Sequence, residues 1–600
     1  MSSAAQSQVA LQPIESASPT EHEFITDDGV ALFYRAWLPP QPAKRALFLF
    51  HRGHEHSGRF SDVVRDLRLS DTAIFAWDAR GHGRSPGARG AAPSFACIVK
   101  DLDGFVRQTA RAHDIPLSDV IVLGHSVAAV AVATWVHDYA PPIRAMILLT
   151  PALRVKLYVP FAIPSLRLLQ QVRGEGKSFV TSYVRSTMLT HDRAEARRYD
   201  EDPLIARSIA VNILLDLHDT STRLLDDAAA IRTPALVLTA GRSDWVVRLN
   251  AQQKFFERLG SPQKRIRVFD GMHHDILHET NRAEVLTEIR NYISQQFEQH
   301  PASQPLIDAD RQGFTRAEFD RLSQPLSAIS PQRWFFATQR AVMKTVGQLS
   351  DGIRLGWQTG FDSGASLDYV YDNRPRGRLL LGQLIDRIYL NSPGWTGVRQ
   401  RKADLKQLLR QAIERLRTSG REVRIVDIAT GCGRYVLETM AELPPNAVAS
   451  ALLRDNTQAN LDASRTQAEK LKLKNIEYQQ ADAFDEAGLA AIEPRPNVAI
   501  ASGLFELFPD NDRVLASLRG LARAMAPGGL LVYTGQPWHP QLEMIARVLT
   551  NREGQPWVMR RRTQRELDDL VRSAGFEKLD MRIDRQGIFT VSLAGIGDLA

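Results

Sequence analysis

Three residues in this chain have the types and order needed to attack an acyl carbonyl. Ser126 lies in Gly124-His125-Ser126-Val127-Ala128, between an apolar run at 120–123 and a helix-like run at 127–139. A strand that turns sharply into a helix lifts a serine hydroxyl above the sheet. That hydroxyl is a weak nucleophile, so it needs a base, and the base needs an orienting acid. Asp244 follows the apolar run 235–238, and His274 follows the run 265–269. Both fall on loops beyond strand ends, in the order serine, acid, histidine. His273 and His278 are the nearest rivals of His274. Charge developing on the carbonyl oxygen needs backbone donors, and the amides of Gly53 and Val127 suit that part. His51, His54 and His56 have no matching acid pattern, so they are read as loop packing and no metal site is expected.

A second group of residues asks for different chemistry. Asp427 ends the apolar run 424–428, and Ala429-Thr430-Gly431-Cys432-Gly433 follows it. Such a turn lets a ligand lie against bare backbone. A dinucleotide site would have a third glycine, where this chain has Val436, and Asp427 would repel a phosphate. S-adenosylmethionine carries no phosphate and has a cationic amino group, so it suits an acid beside a glycine turn.

The elements that must position these residues can be read from pattern. Short β-rich runs at 31–37, 46–50, 73–77, 120–123, 145–149, 235–238 and 265–269 alternate with helical patterns at 60–67, 95–113 and 282–297. Such alternation predicts a mainly parallel sheet with helices on both faces. The rhythm breaks at 153–231, which reads as an inserted helical cap. Its apolar start, 155–163, serves either packing or a lip that meets lipid. Residues 300–350 read as a linker and a helical segment, and 371–416 as helical with a break at Pro393-Gly394. A second alternation has strand candidates at 424–428, 447–452, 476–479, 498–502 and 530–534. The expected organisation is a flexible N-terminus at 1–20, an α/β domain at 21–299, the linker, and a second α/β domain at 351–600.

Composition is that of ordinary globular protein, with 44% hydrophobic and 24% charged residues. A net charge of +7 over 600 residues permits anionic partners without demanding them. The basic clusters at 374–378, 399–402 and 560–562 read as solvated faces. Two cysteines, Cys97 and Cys432, fall in different domains, which predicts free thiols in a reducing cytosol. The N-terminus lacks the basic and apolar regions of a secretory signal, so a cytoplasmic protein is expected, with peripheral contact at the inner membrane face.

The strings at 51–60 (HRGHEHSGRF), 78–85 (DARGHGRS), 124–128, 148–153 (LLTPAL) and 271–279 together resemble the monoacylglycerol lipase and lysophospholipase branch of the α/β-hydrolases. The resemblance implies hydrolysis of carboxylic esters of lipids over residues 20–298. That family usually reads His-Gly-x-Gly-Glu-His in the loop where this chain has Arg52 and His54. A guanidinium at Arg52, beside the acyl site, would pair with phosphate and favour a lysophospholipid over a neutral monoglyceride.

The turn after Asp427 resembles motif I of class I S-adenosylmethionine-dependent methyltransferases. Asp427, Gly431 and Gly433 match it, and Ala429 stands at the first glycine. The resemblance implies that Asp455 takes the ribose hydroxyls and that Asp482-Ala483-Phe484 contacts adenine. It also implies that Ser502 ends the fourth strand near the methyl donor. The strings at 361–371, 394–402, 503–511 and 587–592 are similar to those of a narrower methyltransferase family often fused to such hydrolases. Tyr533, His539 and Glu506 are acceptor-side candidates. The expectation is an α/β-hydrolase fold with a helical cap, followed by a Rossmann-like methyltransferase domain with a helical N-terminal extension. In function it is a bifunctional enzyme with a lipid ester substrate and no nucleic-acid partner. The competing readings are a hydrolase domain kept only for binding, a nucleic-acid methyltransferase using the basic clusters, and a peptidase.

Overall fold

The computed structural model describes residues 18–174, 176–299 and 305–596. The chain divides into two compact units, Met1–Ala302 and Ser303–Ala600. Most of the N-terminal stretch expected to be flexible, residues 1–17, lies outside the described residues, as does 300–304, the first part of the linker read at 300–308.

Among its described residues, the first unit has ten strands: β1 (Thr20–Ile25), β2 (Ala31–Trp37), β3 (Arg45–Phe50), β4 (Thr72–Trp77), β5 (Val120–His125), β6 (Ala145–Leu149), β7 (Phe179–Thr181), β8 (Ser208–Ala210), β9 (Ala235–Thr239) and β10 (Lys264–Val268). Eight of them form one sheet in the order β1-β2-β4-β3-β5-β6-β9-β10. From β4 to β10 neighbours run parallel, and β1 and β2 are antiparallel additions at one edge. The central strands β3, β5 and β6 are almost continuously apolar because helices cover both faces. This is the α/β-hydrolase fold expected from sequence. β1 was not expected: its sequence TEHEFI exposes five of six residues, so its pairing with β2 leaves little apolar signal.

The cap holds the helices Ala162–Arg173, Arg193–Glu201 and Val211–Asp227, with the antiparallel pair β7–β8. Buried charges fasten its last helix to the helix Val127–Tyr139. Arg223 donates to both Asp138 oxygens, and His137 bridges Asp138 and Asp227 at 2.7 Å each. The apolar start of the cap does not pack inward; Phe161 is 82% exposed, and Tyr158 and Val159 are also exposed.

The second unit contains β11 (Arg424–Asp427), β12 (Ser450–Asp455), β13 (Ile476–Gln480), β14 (Val498–Ala501), β15 (Leu530–Gly535), β16 (Phe576–Ile583) and β17 (Thr590–Ile596). Their order is β13-β12-β11-β14-β15-β17-β16. The first five are parallel, and β17 lies antiparallel to β15 and β16. The order reverses between β11 and β14, and such a switch point opens a crevice beyond the strand ends. Among the described residues, six α-helices precede the sheet: Phe314–Ser323, Pro331–Lys344, Asp351–Thr359, Gly364–Asp372, Leu379–Leu390 and Pro393–Thr418. Pro393 makes the expected break by starting the last of them, where its missing N–H is not needed. The helix Leu379–Leu390 faces outward with its apolar edge. It buries Gly382 and Asp386, and leaves Leu379, Leu380, Leu384 and Ile388 exposed.

Two sequence readings change here. Residues 305–350, read as the end of the linker and a helical segment apart from either domain, are helical and belong to the second unit. The cluster at 560–562 is no solvated face. Arg560, Arg561 and Arg562 are buried, because their partners come from far along the chain. Arg560 pairs with Glu566 at 2.7 Å and donates to Thr315, Arg561 pairs with Glu318, and Arg562 donates to Asn511 and the Phe505 and Phe508 carbonyls. Arg401, in the cluster at 399–402, is also buried.

Candidate active sites

The turn after β5 holds Ser126 at φ 57°, ψ −110°, a strained conformation for a residue with a side chain. Gly124 makes the turn possible. A Cβ there would lie 2.7 Å from the Ala128 carbonyl oxygen and 2.8 Å from the Ala129 Cα. The Ser126 amide donates to the Leu149 carbonyl at 2.8 Å, which ties the elbow to β6.

The structure brings the three expected residues together. His274 Nε2 lies 2.8 Å from Ser126 Oγ, and His274 Nδ1 lies 2.8 Å from Asp244 Oδ2. The other Asp244 oxygen accepts from the Val246 and Val247 amides at 2.7 and 2.9 Å. Burial alone would raise the Asp244 pKa, but the His274 ring and these amides hold it below the ordinary carboxylate value. The rivals go elsewhere. His278 binds Asp275 at 3.0 Å, and the His273 ring stacks 3.7 Å from that of His191. The cap braces the acid loop from the other side: the Lys156 amide donates to the Val246 carbonyl at 2.8 Å, and Lys156 Nζ donates to that of Asp244.

Gly53 packs against the Val127 side chain, where a Cβ on Gly53 would lie 3.2 Å from Val127 Cγ2. His54 fills the usual glycine position of this loop by adopting φ 76° itself, and its carbonyl accepts from the Ala206 amide of the cap. Desolvation of its ring lowers the His54 pKa to about 4.

Arg52 departs from expectation. Its guanidinium is buried 2.9 Å from Glu55 and 3.4 Å from Asp275, and lies over the Tyr199 ring. Two carboxylates already match its charge, which leaves it no free cation for a phosphate.

His51, His54 and His56 do not converge. His51 Nε2 accepts from the Ala79 amide at 3.0 Å, while His56 pairs with Asp202 at 2.9 Å. Among the described residues, His191, His273 and Glu279 do bring ligand atoms within 4.8 Å of one another. The Glu279 carboxylate there already binds the His191 ring and the His273 and Thr280 amides.

In the second unit, a cleft lies at the switch point. Ala429, Gly431, Gly433, Asp455, Asp482, Ala483 and Ser502 all line it. Gly431 has φ 55°, and a Cβ there would project into open space, with no atom within 4 Å. Its amide donates to Asp455 Oδ2 at 2.9 Å. Asp455 Oδ1 accepts from the Thr457 amide and Asn460 Nδ2, so the carboxylate is held at the rim of the cleft. Two carboxylates, a bare backbone turn and a small Ala483 suit an adenosyl group, which carries hydroxyls and no phosphate.

Asp427 does not line the cleft. It is fully buried under the turn and accepts from the Tyr435 hydroxyl at 2.7 Å. Burial pushes its pKa up to about 7, against the Tyr435 and Ala429 hydrogen bonds. Asp362, Gly364, Leu367 and Arg401, to which the sequence assigned no role, also line the cleft. The signal was present, since the strings at 361–371 and 394–402 had already been singled out. Of the acceptor-side candidates, Glu506 and His539 line an adjoining chamber, whereas the buried Tyr533 hydroxyl faces Asp568.

Comparison with known proteins agrees with this two-part layout. Residues 289–595, more than half of the chain, match the family described as "Putative methyltransferase", and the chain belongs to that family. Residues 41–281 match the family described as "Serine aminopeptidase, S33". The uncharacterized protein YnbC of Escherichia coli (strain K12) is 50% identical over 582 residues, covering 96% of this chain and 99% of that protein. The monoacylglycerol lipase of Mycolicibacterium smegmatis is 26% identical over 280 residues, covering 46% of this chain and 98% of that enzyme. A crystal structure of the Paleococcus ferrophilus monoacylglycerol lipase aligns with 47% of this chain and 100% of its own, at 21% identity and a TM-score of 0.39. Among the described residues, no helix is long and apolar enough to cross a membrane.

Proposed function

We propose that the first unit is a serine hydrolase of lipid carboxylic esters and that the second transfers a methyl group from S-adenosylmethionine. The hydrogen-bonded line from Ser126 through His274 to Asp244 carries the first part. Ser126 Oγ attacks the carbonyl carbon while His274 Nε2 takes its proton. Asp244 holds the His274 ring and balances its charge. The Gly53 and Val127 amides receive the oxyanion. His274 then returns the proton to the leaving alcohol, and water repeats the sequence on the acyl-enzyme. The likeness to monoacylglycerol lipases favours an ester over a peptide, although the matched hydrolase family is described as an aminopeptidase. With Arg52 already paired, a neutral monoglyceride suits the site better than a lysophospholipid.

In the second unit, the Gly431 turn, Asp455 and Asp482 would hold the adenosyl and ribose groups. Bound S-adenosylmethionine supplies a methyl group on a cationic sulfur. The chain's part is to place an acceptor in line with it beyond Ser502. Burial of Arg560, Arg561, Arg562 and Arg401 leaves fewer exposed cations for a nucleic-acid partner, which supports a small amphiphilic substrate instead.

Labelling with a fluorophosphonate tests the hydrolase, because it needs nucleophile, base and oxyanion donors together. The expected product is one adduct on Ser126, absent from Ser126→Ala. An unlabelled wild-type protein with no esterase activity would leave the first unit as a binding module.

A further inference from the structure

An apolar chamber opens off the methyltransferase cleft. It shares Asp362, Leu367, Arg401, Gly503 and Leu507 with the cleft. Beyond these its walls include Met343, Trp395, Val398, Met544, Trp557 and Phe589. Thioethers and aromatic faces adapt to a flexible alkyl chain. The chamber does not end there. Met343, Gln541 and Met544 also line a surface groove whose other walls include Trp334, Phe335 and Val342. Those three side chains are 68, 59 and 50% exposed. Groove, chamber and cleft thus adjoin in series through shared wall residues, with Met343 and Met544 at the junction nearer solvent.

At its inner end the chemistry changes. Arg401 and Glu506 pair at 3.2 Å with side chains 7% exposed, which makes that end electrically neutral. Glu506 Oε2 and Gln536 Nε2 are buried with no hydrogen-bond partner. One is an acceptor and the other a donor. Buried polar atoms of this kind are rarely left unmatched. Both residues line the chamber, and a hydroxyl group has the donor and the acceptor that such a pair calls for. His539, beside them, is kept uncharged by burial, which lowers its pKa to about 3, and its Nδ1 accepts from the Gln541 amide at 3.0 Å.

We propose that the methyl acceptor is a long-chain amphiphile with an uncharged hydroxyl head. Its alkyl tail lies between Met343 and Met544, and its hydroxyl sits between Glu506 Oε2 and Gln536 Nε2. The role as acceptor rests on the methyl-transfer reading of the cleft; the binding site does not. On transfer, the hydroxyl proton passes to Glu506 and the oxygen takes the methyl carbon. The electron pair of the methyl–sulfur bond stays on sulfur.

The test uses the full chain and 11-(dansylamino)undecan-1-ol, read by energy transfer from tryptophan. A saturable component is expected that Met343→Arg weakens at least tenfold. S-adenosylhomocysteine affinity, measured by calorimetry, should stay within twofold in that variant. Val342→Asp, at the exposed mouth of the groove, is the second variant and should weaken the probe at least threefold. If neither change alters probe binding, or the wild type shows no saturable component, the proposal fails. Undecan-1-ol should displace the probe at least tenfold better than undecanoate or undecyltrimethylammonium. Equal displacement by either charged competitor would overturn the hydroxyl assignment. If the alcohol binds and S-adenosylhomocysteine does not, the amphiphile site stands and the methyl-transfer reading falls.

Discussion

In the first unit, the polar side-chain atoms of Ser126, His274 and Asp244 all find partners within the chain. In the second, the Gly431 turn faces open space, and Glu506 Oε2 and Gln536 Nε2 have no partner. The contrast follows from the chemistry proposed for each. An acyl-transfer site carries its own nucleophile and base, so folding can set their hydrogen bonds beforehand. A methyl-transfer site contributes position alone, and its matching groups arrive with the two substrates. An independent pair of sites should respond to substitution one at a time.

The largest expected effect tests that independence. Ser126→Ala should lower cleavage of a chromogenic short-chain ester by roughly 10⁶-fold while leaving S-adenosylhomocysteine binding unchanged by calorimetry. Asp244→Asn, which keeps the shape but loses the charge that orients His274, should cost about 10⁴-fold in the same assay. Gly431→Val tests the other cleft. It forces a branched side chain to positive φ and fills the cradle, and should weaken S-adenosylhomocysteine about 100-fold with esterase activity intact. A joint loss of both functions in any of these three variants would break the comparison.

Smaller effects sharpen it. Asp427 has a folded pKa of about 7, raised by burial from an ordinary value near 3.8. Below pH 4 the carboxyl is protonated in both states and costs nothing. Between pH 4 and 7 the unfolded chain ionises first, so stability falls; above pH 7 the loss is constant. Asp427→Asn should therefore gain on the wild type by roughly 2–4 kcal/mol between pH 4 and 8, seen as a widening gap in the melting temperature of the second unit. Ala128→Gly restores the residue usual at the second glycine of a nucleophile elbow. It should change esterase activity by less than about threefold and destabilise the helix by about 1 kcal/mol, read by denaturant unfolding.

The parts of this molecule visible in sequence are those whose signal is local. β5, the elbow and the loop carrying Asp244 announce themselves through apolar runs that end in polar turns. The run at 447–452 misleads for the same reason. Ala447 and Val448 are buried in a loop, and the strand begins only at Ser450. Apolar composition reports burial, and a loop can be buried too. β16 hides itself in another way, since its apolar residues alternate poorly across a bulge between Lys578 and Asp580. What was wholly hidden depends on distant partners. Nothing near Arg52 in sequence shows Asp275, and nothing near Arg560 shows Thr315. For Asp427, the acid itself was legible, but the Tyr435 hydroxyl that holds it beneath the turn was not.

The triple-arginine anchor also has a meaning in time. The helix Phe314–Ser323 finds its partners in Arg560 and Arg561, with Arg560 standing 245 residues after Thr315. At about 5–20 residues per second, a ribosome needs roughly 12–50 s to make that interval. Through that delay the helix must wait beside a half-made sheet. The first unit, whose last helix ends at Glu298, is already complete. Synthesis thus delivers a finished hydrolase fold well before the methyltransferase fold can close.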